Sequence, residues 1–167
     1  MSNIHTLSPR EGVISVLIQY ATALDTADII QLQSSFTHDA TQDLTQFSSL
    51  GLNFPVIYGR DAIIDVCMKS VGTPLDTSHT LSNFQVVLNG DENEANITCY
   101  AEAQHFKKGE GISNGEKDYF LLKSRYNVIV VRQGNDWKIS RLVITPLWSQ
   151  GSSTILGQQT DTNHKTV

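Results

Sequence analysis

The sequence predicts an α+β fold with helices first and a curved, mainly antiparallel sheet after them. Three observations predict it. Up to Gly72, apolar residues recur at helical spacing in about three separate stretches. From His79 onward, long segments alternate instead with a period of two. Short polar turns, Asn89-Gly90-Asp91 and Gln133-Gly134-Asn135, join those segments as a meander. Helices packed on one face of such a sheet close its concave side, and an enclosed cavity there is the usual place for a ligand.

Each element has its own local cause. Residues 1–7 read as loose. Ser8-Pro9-Arg10-Glu11 reads as a helix start, with Ser8 as cap, Pro9 at the first helical position and Glu11 completing a capping box. Val13, Leu17, Tyr20, Ala21 and Leu24 then form one apolar stripe, and Asp25 follows it. A second short helix is expected from Ala27 to Ser35, with Ile30 and Phe36 turned inward, and His38-Asp39-Ala40 as the turn behind it. Short strands are expected near Thr41–Leu44 and Val56–Tyr58. Gly59-Arg60-Asp61 leads into a third helix carrying Ile63, Ile64, Val66, Cys67 and Val71, which Gly72-Thr73-Pro74 ends. The long strands are expected at His79–Asn89, Glu94–Phe106, Tyr119–Arg132 and Asp136–Trp148. The charged, Gly-rich stretch 107–117 reads as a loop and 149–167 as a polar tail.

Composition narrows the function. The chain has 167 residues, two fifths of them hydrophobic, enough for one domain with a real core. A net charge of −5 and scattered lysines and arginines argue against nucleic acid. Two cysteines, Cys67 and Cys99, make neither a disulfide framework nor a zinc motif. There is no apolar leader and no run long enough to span a bilayer, so the expectation is a cytoplasmic protein without membrane contact. No G-x-S-x-G, phosphate loop or dinucleotide fingerprint occurs, so nucleophilic and nucleotide chemistry lack support.

The chemistry-bearing residues are an acid and two imidazoles in an apolar frame: Asp25, His79 and His105. His105 shares a strand face with Ile97, Cys99, Ala101 and Ala103, which puts an ionisable group on a face built for burial. A carboxylate that orients a histidine inside an apolar cavity moves protons. The competing reading is structural: Asp25 caps the second helix and His79 is an ordinary strand-end histidine. His105 could bind substrate, donate a proton or be a buried hydrogen-bonding residue. The three groups also match the two-histidine, one-carboxylate ligand set of non-haem iron sites, but no short-spaced metal motif joins them and no metal is expected. Tyr20, Tyr58, Tyr126 and Trp148 are candidates for the cavity wall, as apolar bodies with polar tips. Phe36, Asn83 and Cys99 complete the substrate-binding candidates. Around Asn83 the parity is unclean, since Phe84, Val86 and Leu88 fall on the face opposite His79, and a bulge would explain it.

Five segments carry a resemblance to a known family. They are Tyr20-Ala21-Thr22-Ala23-Leu24-Asp25, Phe36-Thr37-His38-Asp39-Ala40, Tyr58-Gly59-Arg60-Asp61-Ala62-Ile63, Ser78-His79-Thr80-Leu81-Ser82-Asn83 and Gly134-Asn135-Asp136-Trp137-Lys138-Ile139-Ser140-Arg141-Leu142. In order and spacing they resemble the SnoaL-like branch of the NTF2-like superfamily, over roughly residues 10–148. The resemblance implies a cone-shaped fold over residues 8–148. It also implies relatives such as scytalone dehydratase, bile-acid dehydratases, a hexachlorocyclohexane dehydrochlorinase and polyketide cyclases. Several of these use an Asp–His pair without a cofactor, and Asp25 and His79 sit where they place it. His105 resembles a second active-site histidine of scytalone dehydratase, and Tyr20 an active-site tyrosine of the bile-acid dehydratases. The function implied is a cofactor-independent dehydratase, isomerase or cyclase acting on a small apolar oxygenated metabolite. The alternative is a non-catalytic module like the small subunit of ring-hydroxylating oxygenases. A homodimer or homotrimer is expected through the outer sheet face, and Ile155-Leu156 in the tail could close the cavity as a lid.

Overall fold

The computed structural model describes residues 7–112 and 118–157. The chain ends and the latter part of the 107–117 loop, residues 113–117, therefore lie outside the described residues.

The first helix, α1, spans Pro9–Thr26. Its capping box forms as the sequence predicts: the Glu11 amide donates to the Ser8 hydroxyl, and the Glu11 carboxylate accepts from the Ser8 amide at 2.7 Å. Val13, Leu17, Tyr20 and Leu24 are buried along one stripe. Asp25 lies in the last turn of α1 rather than beyond it, because the helix ends only where Ala27 takes a left-handed backbone at φ 54°. Asp28, not Asp25, caps the second helix, α2 (Ile29–Ser35), by accepting from the Gln31 amide. Ile30 was expected inside but is 80% exposed, since this short helix has only one covered side.

Phe36 opens the first strand, β1 (Phe36–Asp43), and is buried. The turn expected at His38–Ala40 is instead an irregular stretch within β1, whose pairing register shifts between Phe36 and Thr41. A 3₁₀ turn (Thr45–Leu50), the short β2 (Val56–Tyr58) and α3 (Arg60–Cys67) follow. A single wide turn, Met68–Gly72, continues α3 to its end. The long strands are β3 (Leu75–Leu88), β4 (Glu94–Lys107), β5 (Tyr119–Gln133) and β6 (Asp136–Gly151). His79 therefore lies inside β3 rather than at its start, and β6 continues past Trp148 into the expected tail. A second 3₁₀ turn, Ser153–Leu156, follows β6.

One curved sheet holds all six strands in the order β2-β1-β6-β5-β4-β3. The meander β3 to β6 is antiparallel, and β1 joins it parallel to β6. α1 lies across β3 and β6, so the core sits between the helices and the concave face. This is the α+β cone expected from the sequence. The expected bulge is in β3, where pairing with β4 shifts between Ser82 and Gln85 and Asn83 has φ 56°. Inserting a residue swaps the two faces of the strand beyond it. Thr77, His79 and Leu81 thus share the concave side before the bulge, and Phe84, Val86 and Leu88 pack toward the core after it.

Candidate active site

Asp25 is placed by α1 and His79 by β3, the two elements that pack against each other. The two Asp25 oxygens take three donors from β3. The Thr77 hydroxyl donates to Oδ1 at 2.8 Å and the His79 amide to Oδ2 at 2.9 Å. The His79 ring nitrogen Nδ1 lies 2.6 Å from Oδ1. Partial burial pushes the Asp25 carboxyl up, but the hydrogen bonds and charge of His79, with Thr77, outweigh that and hold it below its ordinary value. Asp25 is therefore an ionised, acceptor-only partner at neutral pH, and the His79 Nδ1 carries the proton between them. In the neutral ring, Nε2 is then bare and basic. The His79 side chain is only 5% exposed, yet the residue lines the cavity.

His105 enters from β4, directly across from Thr77 and beside Ala103, the partner of His79. The two imidazoles meet edge to face, with ring centroids 5.8 Å apart. His105 Nδ1 donates to the Phe120 carbonyl at 2.9 Å, because a carbonyl can only accept. Burial pushes the His105 pKa down to about 4, against the opposing pull of the Phe120 carbonyl. His105 is therefore neutral near pH 7, with Nε2 as an acceptor.

The chamber between helices and sheet has mostly apolar walls, including Leu24, Phe47, Val66, Leu122 and Ile144. About 670 Å³ of space lies between them, mouth included, and about 80 Å³ of it is open to the centre of a water molecule. A wider groove between α1 and the β5–β6 turn holds no imidazole, so the chemistry points to the chamber rather than to the larger space. Among the described residues, no group of three or more His, Cys, Asp or Glu could hold a metal ion.

The structure brings together five of the predicted residues in or against this chamber: His79, His105, Tyr20 and Tyr126 line it, and Asp25 braces His79 from behind. Tyr20 and Tyr126 are buried, and desolvation raises both phenols well above their ordinary range. The other candidates lie elsewhere. Phe36 sits behind Tyr20, edge to face at 5.6 Å. Tyr58 is 73% exposed, because the three-residue β2 is an edge strand and turns it outward. Trp148 is 53% exposed near the outer end of β6. Asn83, turned out by the bulge, and Cys99 border a separate recess with Gln85 and Arg125.

Among the lining or bracing residues that escaped sequence reasoning are Thr77, Gln42, Cys67 and Ser124. Gln42 and Ser124 had a signal, since each is a polar residue at a core parity position, Gln42 between Ala40 and Leu44 and Ser124 between Leu122 and Tyr126. The Ser124 hydroxyl is buried and has no hydrogen-bond partner among the described residues. An orphan hydroxyl in a cavity wall costs about 1–3 kcal/mol, a cost that a ligand oxygen would relieve.

An α+β cone that encloses a carboxylate-steered imidazole defines a class of small proteins built around one buried chamber. The chain belongs to the SnoaL-like family, whose model matches residues 5–143. It is 33% identical over 154 residues to terrestric acid biosynthesis cluster protein E of Penicillium crustosum, covering 91% of this chain and 92% of that one. Among solved structures it is similar to an inferred scytalone dehydratase from Novosphingobium aromaticivorans, at 23% identity and TM-score 0.70, covering 86% of this chain and 87% of that one. A hexachlorocyclohexane dehydrochlorinase of the LinA-type3 kind from Novosphingobium barchaimii matches at 15% identity and TM-score 0.68, covering 86% and 90%. These two likenesses establish the fold. Among the described residues, no helix is long and apolar enough to cross a membrane.

Proposed function

We propose that this protein is a cofactor-independent lyase or isomerase of secondary metabolism. It moves a proton on a small, largely apolar, oxygenated molecule such as a polyketide or terpenoid. One observation carries the reading: the 2.6 Å contact between Asp25 Oδ1 and His79 Nδ1, at the wall of an apolar chamber. His79 Nε2 takes a proton from carbon next to a carbonyl, and the Asp25 carboxylate stabilises the imidazolium that forms. The Tyr20 and Ser124 hydroxyls face the oxygen on which charge develops. His105, neutral and committed through Nδ1, accepts from a substrate hydroxyl. Dehydration, double-bond migration and ring closure share this step, and the shape of the substrate selects among them. The similarity to a biosynthesis cluster protein supports a metabolite of that general kind.

Solvent deuterium exchange tests it. The protein is incubated in D₂O with small ketones that have acidic α-hydrogens, and incorporation is followed by mass spectrometry. Exchange should occur with the wild type and be lost in His79→Ala. A chain that binds such ketones but leaves their α-hydrogens unexchanged would be a binding or assembly module instead. We also propose that copies associate as a dimer or trimer through the outward sheet face, where Val87 and Tyr100 remain exposed. Light scattering reads the mass, and a monomer at micromolar concentration contradicts it.

A further inference from the structure

Gln42 is the one buried carboxamide among the described residues, at 1% exposure. A core amide is costly unless both of its ends are paired. Gln42 uses its two ends on two other residues of the chamber wall. Its Oε1 accepts from the Cys67 thiol at 3.6 Å, and its Nε2 donates to the Tyr20 hydroxyl oxygen at 3.4 Å. The three side chains come from β1, α3 and α1, and all line the chamber. Both contacts are long and add little stability, but they decide which way each group faces.

The consequence concerns one proton. A carboxamide can be turned either way round. With Oε1 toward Tyr20, it would capture the tyrosine proton and leave only a lone pair for the chamber. With Nε2 toward Tyr20, it fills the lone pair and leaves the O–H to point elsewhere. The Cys67 Sγ stands on the Oε1 side, where a thiol can only donate, so the pair holds Oε1 away from Tyr20. We infer that Cys67 and Gln42 are positioning residues for Tyr20: the thiol fixes the amide, and the amide turns the tyrosine proton toward an oxygen held in the chamber. This rests on the reading of Tyr20 as the group that binds that oxygen. Cys67 suits the part because it has no competing role as a nucleophile: burial pushes its thiol up to about 12, so it stays protonated and remains a donor.

The probe is acetophenone, an apolar ketone with a single oxygen and no leaving group. Its affinity is measured by titration, and its bound carbonyl stretch by infrared spectroscopy, since a donated hydrogen bond lowers that frequency. Wild type should show a lowered frequency, and Tyr20→Phe should lose the lowering. Cys67→Ala should raise the frequency most of the way to the Tyr20→Phe value and weaken binding about fivefold, the worth of one neutral hydrogen bond. Cys67→Ser restores a donor and should restore both. In a Gln42→Leu background, Cys67→Ala should change both clearly less than it does in wild type, because the part of its effect that runs through the amide is gone and only the direct contact of the thiol with the Tyr20 hydroxyl is left. A frequency unmoved by Cys67→Ala, or moved equally with and without Gln42, overturns the relay while leaving Tyr20 as the donor. If acetophenone does not bind, or gives one frequency in wild type and Tyr20→Phe, the role of Tyr20 itself fails and the relay with it.

Discussion

The last turn of a helix is an unfavourable place for a carboxylate, because the unpaired carbonyls there carry partial negative charge, and Asp25 sits in that turn with no basic residue near it in the helix. Helix stability does not account for it. The three donors from β3 do, and two of them belong to His79. Asp25→Asn keeps the shape and removes the charge that favours the imidazolium. We expect the exchange rate to fall by about 10²–10⁴-fold, with a melting temperature within a few degrees of wild type. A variant that exchanges at the wild-type rate removes Asp25 from the chemistry. His105 makes a separate prediction about pH. Its folded pKa, near 4, lies below its ordinary value of 6.5. Between those values the unfolded chain binds more protons, so stability falls as pH drops through that window. Asp25, held below its ordinary 3.8, extends the loss to lower pH. Urea melts at pH 7 and pH 5 should show this decline, and His105→Gln should flatten it. Equal slopes in the two proteins would contradict the buried, neutral state of His105.

At the scale of elements, α1 is anchored at its start in two ways. Its start is capped by Ser8, and Ser8→Ala should cost about 1 kcal/mol in urea unfolding. Farther along, Gly12 lets the helix seat on Trp137: a Cβ there would come within 2.6 Å of the indole ring. Gly12→Ala should destabilise by about 1–3 kcal/mol, as overpacking does, and unchanged stability would mean that the helix seats elsewhere. The order and type of these elements were legible because their periodicities are strong. The capping box and the alternation in β4 read directly. Other details are decided by contacts between distant segments. The parallel union of β1 with β6 leaves no local mark, and the irregular pairing that turns out His38 and Asp39 looks like a turn from sequence alone. The bulge at Asn83 was visible as broken parity, but which residues it would expel was not. Asn83 was therefore assigned to the chamber, whereas it borders the outer recess. Tyr58 and Trp148 lie outside the chamber, which was not legible for the related reason that an aromatic near a strand end does not reveal which side of the sheet it meets. That Asp25, His79, His105 and Tyr20 gather in or against the chamber was legible because ionisable or phenolic groups stand beside apolar periodicity. Thr77 was missed because a threonine in a strand is ordinary.

Across the whole molecule, the cone turns one amphipathic sheet and three helices into a chamber whose polar groups are few. Leu156, from the turn after β6, is buried against that chamber. Leu156→Ala should weaken acetophenone binding several-fold and speed its release, as loss of a covering side chain would. Unaltered affinity and release would remove the idea that this segment closes the mouth. The central claim is narrower: Asp25 holds the proton of His79 on Nδ1 and leaves Nε2 bare. Nitrogen-15 NMR of histidine-labelled protein reads this tautomer for the neutral ring. The account predicts a protonated Nδ1 and a bare Nε2 at His79, with that preference lost in Asp25→Asn. A neutral His79 protonated on Nε2 in the wild type would contradict it.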